Sequence, residues 1–344
     1  MKLSRSQFTA ASAALAAAAL PLRALADDRV KVGTAGLVSD APLFIAQARG
    51  FYKEQNLEVE FINLESGSKM IAPLGTGEID AGAGAPAAAL YNAVLRGIEI
   101  RAVADKGKLT PGYGYNPLLV RKELMTSGKV KTYKDLKGLR FASAATGAAG
   151  DATLNAALKL GGMKFSDLKL QIIPFPSMVP AFGNNAIDAA IVSEPIATVA
   201  IKAGVAQMLA SSDKFYPNQQ IAVLFYGNKF IENRPDVAKR FMIAYVKAVR
   251  FYYDALKDGH FAGPNAKAVI SILQQYSNVK DPDTYAAMIP AGIDPDAFLN
   301  IQSMDKDIAF WQDLKLIEGP IKAIQAIDTQ FVENAVKVLG HYRR

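Results

Sequence analysis

The chain carries one sequence pattern twice, and this repeat limits the folds that it can adopt. Each copy opens with a strand-like run that leads into small residues, and each closes on Ile-Asp-Ala before a second strand. The copies run nearly in register, with 48 residues from Val32 to Asp80 and 47 from Phe141 to Asp188. The repeat predicts two similar α/β lobes with a cleft between them, and clefts between lobes are where small ligands bind. The opening runs are Val30–Ala35 and Leu139–Ala144.

Residues 1–26 have the composition of a cleaved export signal. Lys2 and Arg5 precede an Ala/Leu-rich stretch from Ala10 to Leu20, and Ala24-Leu25-Ala26 has the A-x-A form of a cleavage site. The segment around Arg5 resembles a twin-arginine motif in which Ser6 replaces the second arginine, so twin-arginine and general secretory export both stay open. We expect the mature chain to begin near Asp27.

Composition narrows the class of protein further. The 344 residues fit two domains of ordinary size, and 51% hydrophobic with 21% charged residues is typical of a globular protein. Without the signal, 36 basic and 32 acidic residues leave a net charge of only +4, which gives no support for a nucleic-acid partner. The chain has no cysteine, which excludes disulfides, a thiol nucleophile and a lipidated cysteine. We therefore expect a soluble, unlipidated periplasmic monomer.

Strands and helices alternate through both copies, which predicts a largely parallel sheet in each lobe with helices on both faces. Turn-forming residues at 107–117 separate the copies. Leu118–Val120 is predicted to cross into the second lobe, and Ile221–Tyr226 is predicted to be the returning strand. Helical periodicity follows from Asp236 to the end. The predicted lobe I is 27–117 and 226–344, and lobe II is 118–225.

Four segments are candidate ligand contacts because each follows a predicted strand and begins a helix or turn. Ligands of open α/β sheets bind at the carboxyl ends of strands, where free backbone N–H groups at helix starts favour an anion or a polar acceptor. Ordinary helix caps and turns would give the same residue types. The four segments are Ser39-Asp40-Ala41-Pro42, Ser66-Gly67-Ser68, Gly84-Ala85-Pro86 and Thr146-Gly147-Ala148.

Aromatic side chains and one carboxylate complete the predicted site. Phe44 and Tyr91 lie in predicted helices and are better explained as core residues. Tyr113 and Tyr115 lie in the Gly/Pro-rich connection, where they can reach the mouth of the cleft, and Tyr113 is included in the predicted site. Glu194 follows an apolar strand at its carboxyl end. If its carboxylate faces the cleft, it favours a neutral heterocycle or a zwitterion over a dianion.

The sequence lacks most of the residues and motifs that catalysis requires. The two histidines, His260 and His341, lie outside the repeated segments and have no metal-ligand spacing. With no cysteine either, the residues for a catalytic triad are missing, and neither a dinucleotide fingerprint nor a phosphate loop is present. We therefore predict no catalytic residue, no metal and no cofactor.

Six segments, in order and with consistent spacing, make the whole mature chain resemble the solute-binding proteins of ABC importers for sulfonates, taurine, nitrate and thiamine-pyrimidine precursors. The resemblance implies the type II periplasmic binding fold, with two α/β lobes, two crossing strands and a ligand enclosed as the cleft shuts. It also implies an ABC permease and its ATPase as partners. A sensory protein that feeds a membrane receptor remains an alternative, as does an enzyme of pyrimidine synthesis, although the eukaryotic enzymes use a cysteine cluster and histidine that are absent here. The segments are Ala41–Ala46, Gly50–Tyr52, Gly77–Asp80, Leu118–Lys122, Lys134–Gly138, and Ile187–Ala189 with Glu194-Pro195.

Overall fold

The computed structural model describes residues 28–343, so the predicted export signal lies outside the described residues. The strands are β1 Asp28–Thr34, β2 Leu57–Asn63, β3 Ala81–Gly84, β4 Ile100–Lys108, β5 Leu118–Arg121, β6 Arg140–Ser143, β7 Lys169–Ile172, β8 Ala189–Ile191, β9 Ala206–Ala210, β10 Gln220–Gly227, β11 Leu256–Lys257 and β12 His260–Phe261. The α-helices are α1 Ala41–Ala48, α2 Gly67–Thr76, α3 Ala88–Leu95, α4 Lys122–Thr126, α5 Ala149–Leu160, α6 Phe175–Gly183, α7 Ile196–Lys202, α8 Asn228–Asn233, α9 Pro235–Tyr253, α10 Ala266–Tyr276, α11 Pro282–Ala287, α12 Ile301–Asp313 and α13 Gln330–Leu339.

Two five-stranded sheets share one plan. The first has the order β2-β1-β3-β10-β4 and the second the order β7-β6-β8-β5-β9. In each sheet three parallel strands are followed by an antiparallel strand that adjoins a crossing between the lobes, β10 in the first and β5 in the second. The prediction of two α/β lobes with largely parallel sheets is confirmed.

The returning strand belongs to the first sheet. Val223 to Tyr226 pair with β3, and the whole of β10 pairs with β4. The chain therefore crosses between the lobes at 109–117 and at 211–219. The predicted boundary at residue 225 placed most of β10 in lobe II, and the hydrogen bonds to β3 and β4 place it in lobe I instead. The strand β4 itself has no counterpart among the predicted elements.

The repeated Ile-Asp-Ala segments have the same structural role in both lobes. The Asp80 carboxylate accepts a hydrogen bond from the backbone N–H of Lys31 on β1, at 2.9 Å. Asp188 accepts from the backbone N–H of Arg140 on β6, at 3.0 Å, and also from the guanidinium of Arg140. These hydrogen bonds, with that of Arg121, lower the pKa of Asp188 to about 2. Each aspartate thus ties one strand to the segment before a neighbouring parallel strand, β1 to β3 in lobe I and β6 to β8 in lobe II.

Helices cover both faces of each sheet, which buries four hydrophobic clusters. In lobe I, α1, α9, α10 and α13 pack on one face, and α2, α3 and α12 pack on the other. In lobe II, residues of α4 and α5 cover one face and residues of α6 and α7 the other. This packing leaves the carboxyl ends of the parallel strands of both sheets facing each other.

Candidate ligand-binding site

A cavity lies between the two lobes at these strand ends. It encloses about 780 Å³ of empty space, counting the part that is open to solvent. Lobe I contributes the residues that follow β1, β2 and β3 together with the end of β4, and lobe II contributes the turn after β6 and the first turn of α5. The first crossing adds Tyr115 and Asn116, and β10 adds Ile221 and Ala222. Segments from both lobes and from one crossing therefore surround one space.

Residues from all four predicted segments line this cavity, after β1, β2, β3 and β6. The side chain of Ser66 makes no capping hydrogen bond to the start of α2. The lining residues of these segments are Ser39, Ser66, Gly67, Ser68, Gly84, Ala85 and Ala148.

Three neighbouring predicted residues lie behind the wall. Ala41 and Pro42 form the first turn of α1 and are buried against the lobe I core. Asp40 is fully buried, and its Oδ2 accepts hydrogen bonds from the backbone N–H groups of Ala35 and Leu37, at 3.1 and 3.0 Å. The helical turn after Ser39 directs these side chains inward, so the prediction that all four residues of this segment face the cleft is wrong.

The predicted segment at Thr146 and Gly147 joins the lobes. The N–H of Ala88 donates to the carbonyl of Gly147 at 2.9 Å, and the N–H of Ala149 donates to the carbonyl of Pro86 at 3.1 Å. Gly147 has a φ of +64°, a conformation that glycine adopts readily. Neither Thr146 nor Gly147 lines the cavity, because this turn lies against the start of α3.

The two tyrosines of the first crossing have different environments. Tyr113 packs against the lobe I core and does not line the cavity, which corrects its place in the predicted site. Tyr115 does line it and is 1% exposed, and its hydroxyl has no hydrogen-bond partner of ordinary geometry. A Cβ on Gly107 would lie 2.6 Å from the Tyr115 hydroxyl and 3.3 Å from Cβ of Ser39. Tyr115 and Ser39 therefore meet at the end of β4.

Glu194 does not face the cavity. Its carboxylate accepts from the backbone N–H of Thr198 at 2.9 Å and from the Thr198 hydroxyl at 3.0 Å, in the first turn of α7. It also accepts from the N–H of Ile289, at 3.4 Å, and only 2% of the residue is exposed. Glu194 therefore gives no reason to expect a zwitterion or a neutral solute.

Burial raises the pKa of Glu194 from 4.5 to about 7, so the folded state binds this proton more tightly than the unfolded state. The stabilisation from the proton is complete below pH 4.5 and is lost as the pH rises through 7. We expect the free energy of unfolding to fall by roughly 1–3 kcal/mol from this group between those values. Urea denaturation of Glu194→Gln across this range should show a shallower fall than the native protein.

Other buried carboxylates also contribute to the pH dependence of stability. Burial also raises the pKa of Asp151 to about 6 and that of Asp307 to about 7, so part of the pH dependence should survive in Glu194→Gln. An identical pH profile for the variant and the native protein would show that Glu194 does not titrate in this range.

Lys106, which is not among the predicted site residues, lines the cavity and is 1% exposed. Its Nζ lies 2.7 Å from Oδ1 of Asp40 and donates to the carbonyl of Ala83 on β3 at 3.2 Å. An ammonium group has three N–H donors, so one is left over. The strand β4 places Lys106 at the cavity. The sequence could have indicated this position only if β4 had been recognised as a strand.

Asp151 of lobe II was also missed and lines the opposite wall. Its Oδ1 accepts from the Ser143 hydroxyl at 2.5 Å, and its Oδ2 accepts from the N–H of Gly147 at 2.8 Å. The carboxylate thereby fixes the turn between β6 and α5. Both of its oxygens are engaged by this turn.

Within residues 28–343, no three His, Cys, Asp or Glu side chains come together in a way that could hold a metal ion. Among the helices of this range, none combines the length and the apolar character needed to cross a membrane.

The model of the NMT1-like family matches residues 23–263, which is more than half of the chain. A relative from Brucella abortus (strain 2308), named a "putative binding protein", is 29% identical over 252 residues, which cover 71% of this chain and 73% of the relative.

Solved structures with the same fold include binding proteins and an enzyme. The nitrate-binding protein NrtA of Synechocystis PCC 6803 has a TM-score of 0.75 at 16% identity and covers 91% of this chain and 89% of its own. The alkanesulfonate-binding protein SsuA of Xanthomonas axonopodis, bound to MOPS, has a TM-score of 0.69 at 17% identity and covers 88% and 98%. The desulfurization enzyme DszB has a TM-score of 0.61 at 15% identity and covers 91% and 99%. These likenesses confirm the predicted two-lobed periplasmic binding fold.

Proposed function

We propose that this chain, which belongs to the NMT1-like family, is the solute-binding component of an ABC importer. It captures a small organic solute between its lobes and presents the closed, loaded form to a permease. The candidate solutes are sulfonate- or taurine-like compounds and nitrogen heterocycles such as pyrimidine precursors.

One observation carries this proposal: a single cavity is walled by matching strand ends of both lobes and is closed by backbone hydrogen bonds across the cleft. A solute in that position touches both lobes only when they are together, so it stabilises the closed state by its extra contacts there. Micromolar affinity requires about 8 kcal/mol. A helix N-terminus contributes at most about 2 kcal/mol, so side-chain hydrogen bonds and excluded water must supply the rest.

The cellular setting follows from the same proposal. An exported protein free in the periplasm, acting as a monomer beside a permease and its ATPase, agrees with the signal-like residues 1–26 and with the absence of cysteine from the chain. The periplasmic binding proteins with the same fold support this location.

An enzymatic role is the second candidate, since DszB shares the fold. Against it, the chain has no cysteine, and its two histidines lie away from the cavity lining. His341 instead contacts Asp296, with Nδ1 2.8 Å from the carboxylate. A sensory role would use the same cavity and would differ only in the membrane partner.

The test is mass spectrometry of small molecules released from protein purified natively from its own periplasm. We expect a stoichiometric solute that raises the melting temperature when it is added back and is recovered unchanged after incubation. Recovery of a converted product would favour the enzyme. Co-purification with a kinase-linked receptor in place of a permease would favour the sensor.

A further inference from the structure

The lobe I wall of the cavity includes several hydrogen-bond donors. Lys106 directs an ammonium group there, with one N–H left over after Asp40 and Ala83. The buried hydroxyl of Ser68 lines the same space and has no hydrogen-bond partner, and the buried hydroxyl of Tyr115 has only Ser39 beside it. Buried polar atoms are nearly always hydrogen-bonded in native proteins, so these unpartnered groups require an explanation. A bound solute with acceptor oxygens supplies one.

These donors are close together. The carbonyl that Lys106 contacts belongs to Ala83, and a Cβ on Gly67 would lie 2.4 Å from the carbonyl oxygen of Ala85, two residues further along. The uncapped start of α2 is therefore adjacent to the strand end that Lys106 touches. On the other side, Tyr115 and Ser39 meet at Gly107, the residue after Lys106. Lysine, hydroxyls and the start of α2 thus line the lobe I side of one cavity.

The acidic groups that face the cavity do not occupy this position. Asp151 lies on the lobe II wall, and both of its oxygens accept from its own turn. Glu65 pairs with Lys69, and both side chains are more than half exposed. Asp40 lies behind Lys106 and already balances its charge. One negative charge can be stabilised by the remaining N–H of Lys106 and the neighbouring hydroxyls. Lys106 is the only basic residue lining the cavity among the described residues, so no second cation is present to balance a dianion.

The lobe II wall is mainly apolar. Leu154 and Ile191 are almost fully buried and face the cavity together with the half-buried ring of Phe175 and the small side chains of Ala142 and Ala144. A solute that fits both walls therefore has a polar end and an apolar end.

We infer that the solute is a singly charged oxyanion, a carboxylate or a sulfonate, with a compact apolar body, and that Lys106, held by Asp40, selects its charge. This inference rests on the proposed binding function. It makes Lys106 and Tyr115 ligand contacts and gives Asp40 a positioning role.

The test measures binding of matched anionic and neutral compounds by calorimetry at pH 7.5. The pairs are butyrate with butyramide, benzoate with benzamide, and butanesulfonate with butanesulfonamide. We expect at least one anion to bind, with its neutral partner at least about tenfold weaker, as for loss of a hydrogen bond to a charged group. Equal binding of the two members of a pair, or no binding by any of the three anions, would overturn the inference.

Variants identify the residues responsible. Tyr115→Phe should weaken the anion about tenfold, and Tyr113→Phe, two positions earlier and outside the cavity, is the matched control and should leave it unchanged. Lys106→Met combined with Asp40→Asn removes the charge pair without leaving a buried ion, and it should abolish the preference for the anion. Retention of that preference in the double variant would contradict the role of Lys106.

The solute released from native protein separates this inference from the proposed function. A neutral or cationic solute would leave the binding function intact and overturn the charge selection. Absence of any released solute, together with no binding in the panel, would count against both.

Discussion

Replacing Asp40 with asparagine is expected to lower the free energy of unfolding by about 3–5 kcal/mol, because it leaves the ammonium group of Lys106 buried without its counterion. Neither residue is more than 1% exposed, and the 2.7 Å contact between Nζ and Oδ1 joins α1's start to β4. Removing one member of a buried pair costs much more than removing both. Urea denaturation measures the change.

Two further proteins make this experiment decisive. The double variant Asp40→Asn with Lys106→Met should recover much of the lost stability, and the recovery gives the coupling energy of the pair. Glu58→Gln breaks the exposed pair with Arg29 and should have little effect, since both of those side chains are more than half exposed. If Asp40→Asn is as stable as the native protein, the lysine is solvated or neutral in the folded state and the assignment of a buried ion pair fails.

Adding a single methyl group at Gly84 is expected to cost about 3 kcal/mol or more and to abolish solute binding. The new Cβ would lie 2.4 Å from Cα of Gly67 and 2.9 Å from its backbone nitrogen. Both are main-chain atoms, which cannot rotate away as a side chain does. The strand β3 and the start of α2 would have to separate, which would displace the helix amides and Ser68 from the cavity wall.

Gly150→Ala is the matched control for this change. Gly150 also lines the cavity, but its Cβ would meet nothing within 4 Å, and the residue lies in the first turn of α5. We expect its stability to be unchanged or higher by about 0.5–1 kcal/mol. Melting temperatures and solute-induced thermal shifts should be recorded for both variants. A Gly84→Ala protein that melts and binds like Gly150→Ala would show that the close approach of β3 and α2 is not needed.

The repeat made the architecture predictable from the sequence. Its spacing gave two lobes, and the equivalent positions of Asp80 and Asp188 turned out to make equivalent hydrogen bonds. The rule that helices begin at the carboxyl ends of parallel strands was sufficient to place Ser66 to Ser68 and Ala85 in the cavity wall, because it depends only on strand order. Their role as ligand contacts stays a prediction.

The errors come from side-chain direction and from one missed strand. Glu194 stands at a strand end as predicted, but the first turn of α7 offers Thr198 as a closer partner than the cleft, and no sequence pattern distinguishes these directions. Lys106 lies in Asp105-Lys106-Gly107-Lys108, a polar run that has the composition of a loop. Tertiary contacts turn this run into buried strand: Asp105 accepts from Gln220, and Lys106 contacts Asp40.

The position of β10 has a consequence for the order in which the lobes fold. All five strands of lobe II lie within residues 118–210, so that lobe has its complete sheet as soon as this segment is available. The lobe I sheet begins at residue 28, yet the strand between β3 and β4 arrives only at residues 220–227. Pairing over such a sequence separation is slow, and domains fold as units as their chain appears. The inserted lobe should therefore fold first, and the lobe that begins the described chain should be the last to be completed.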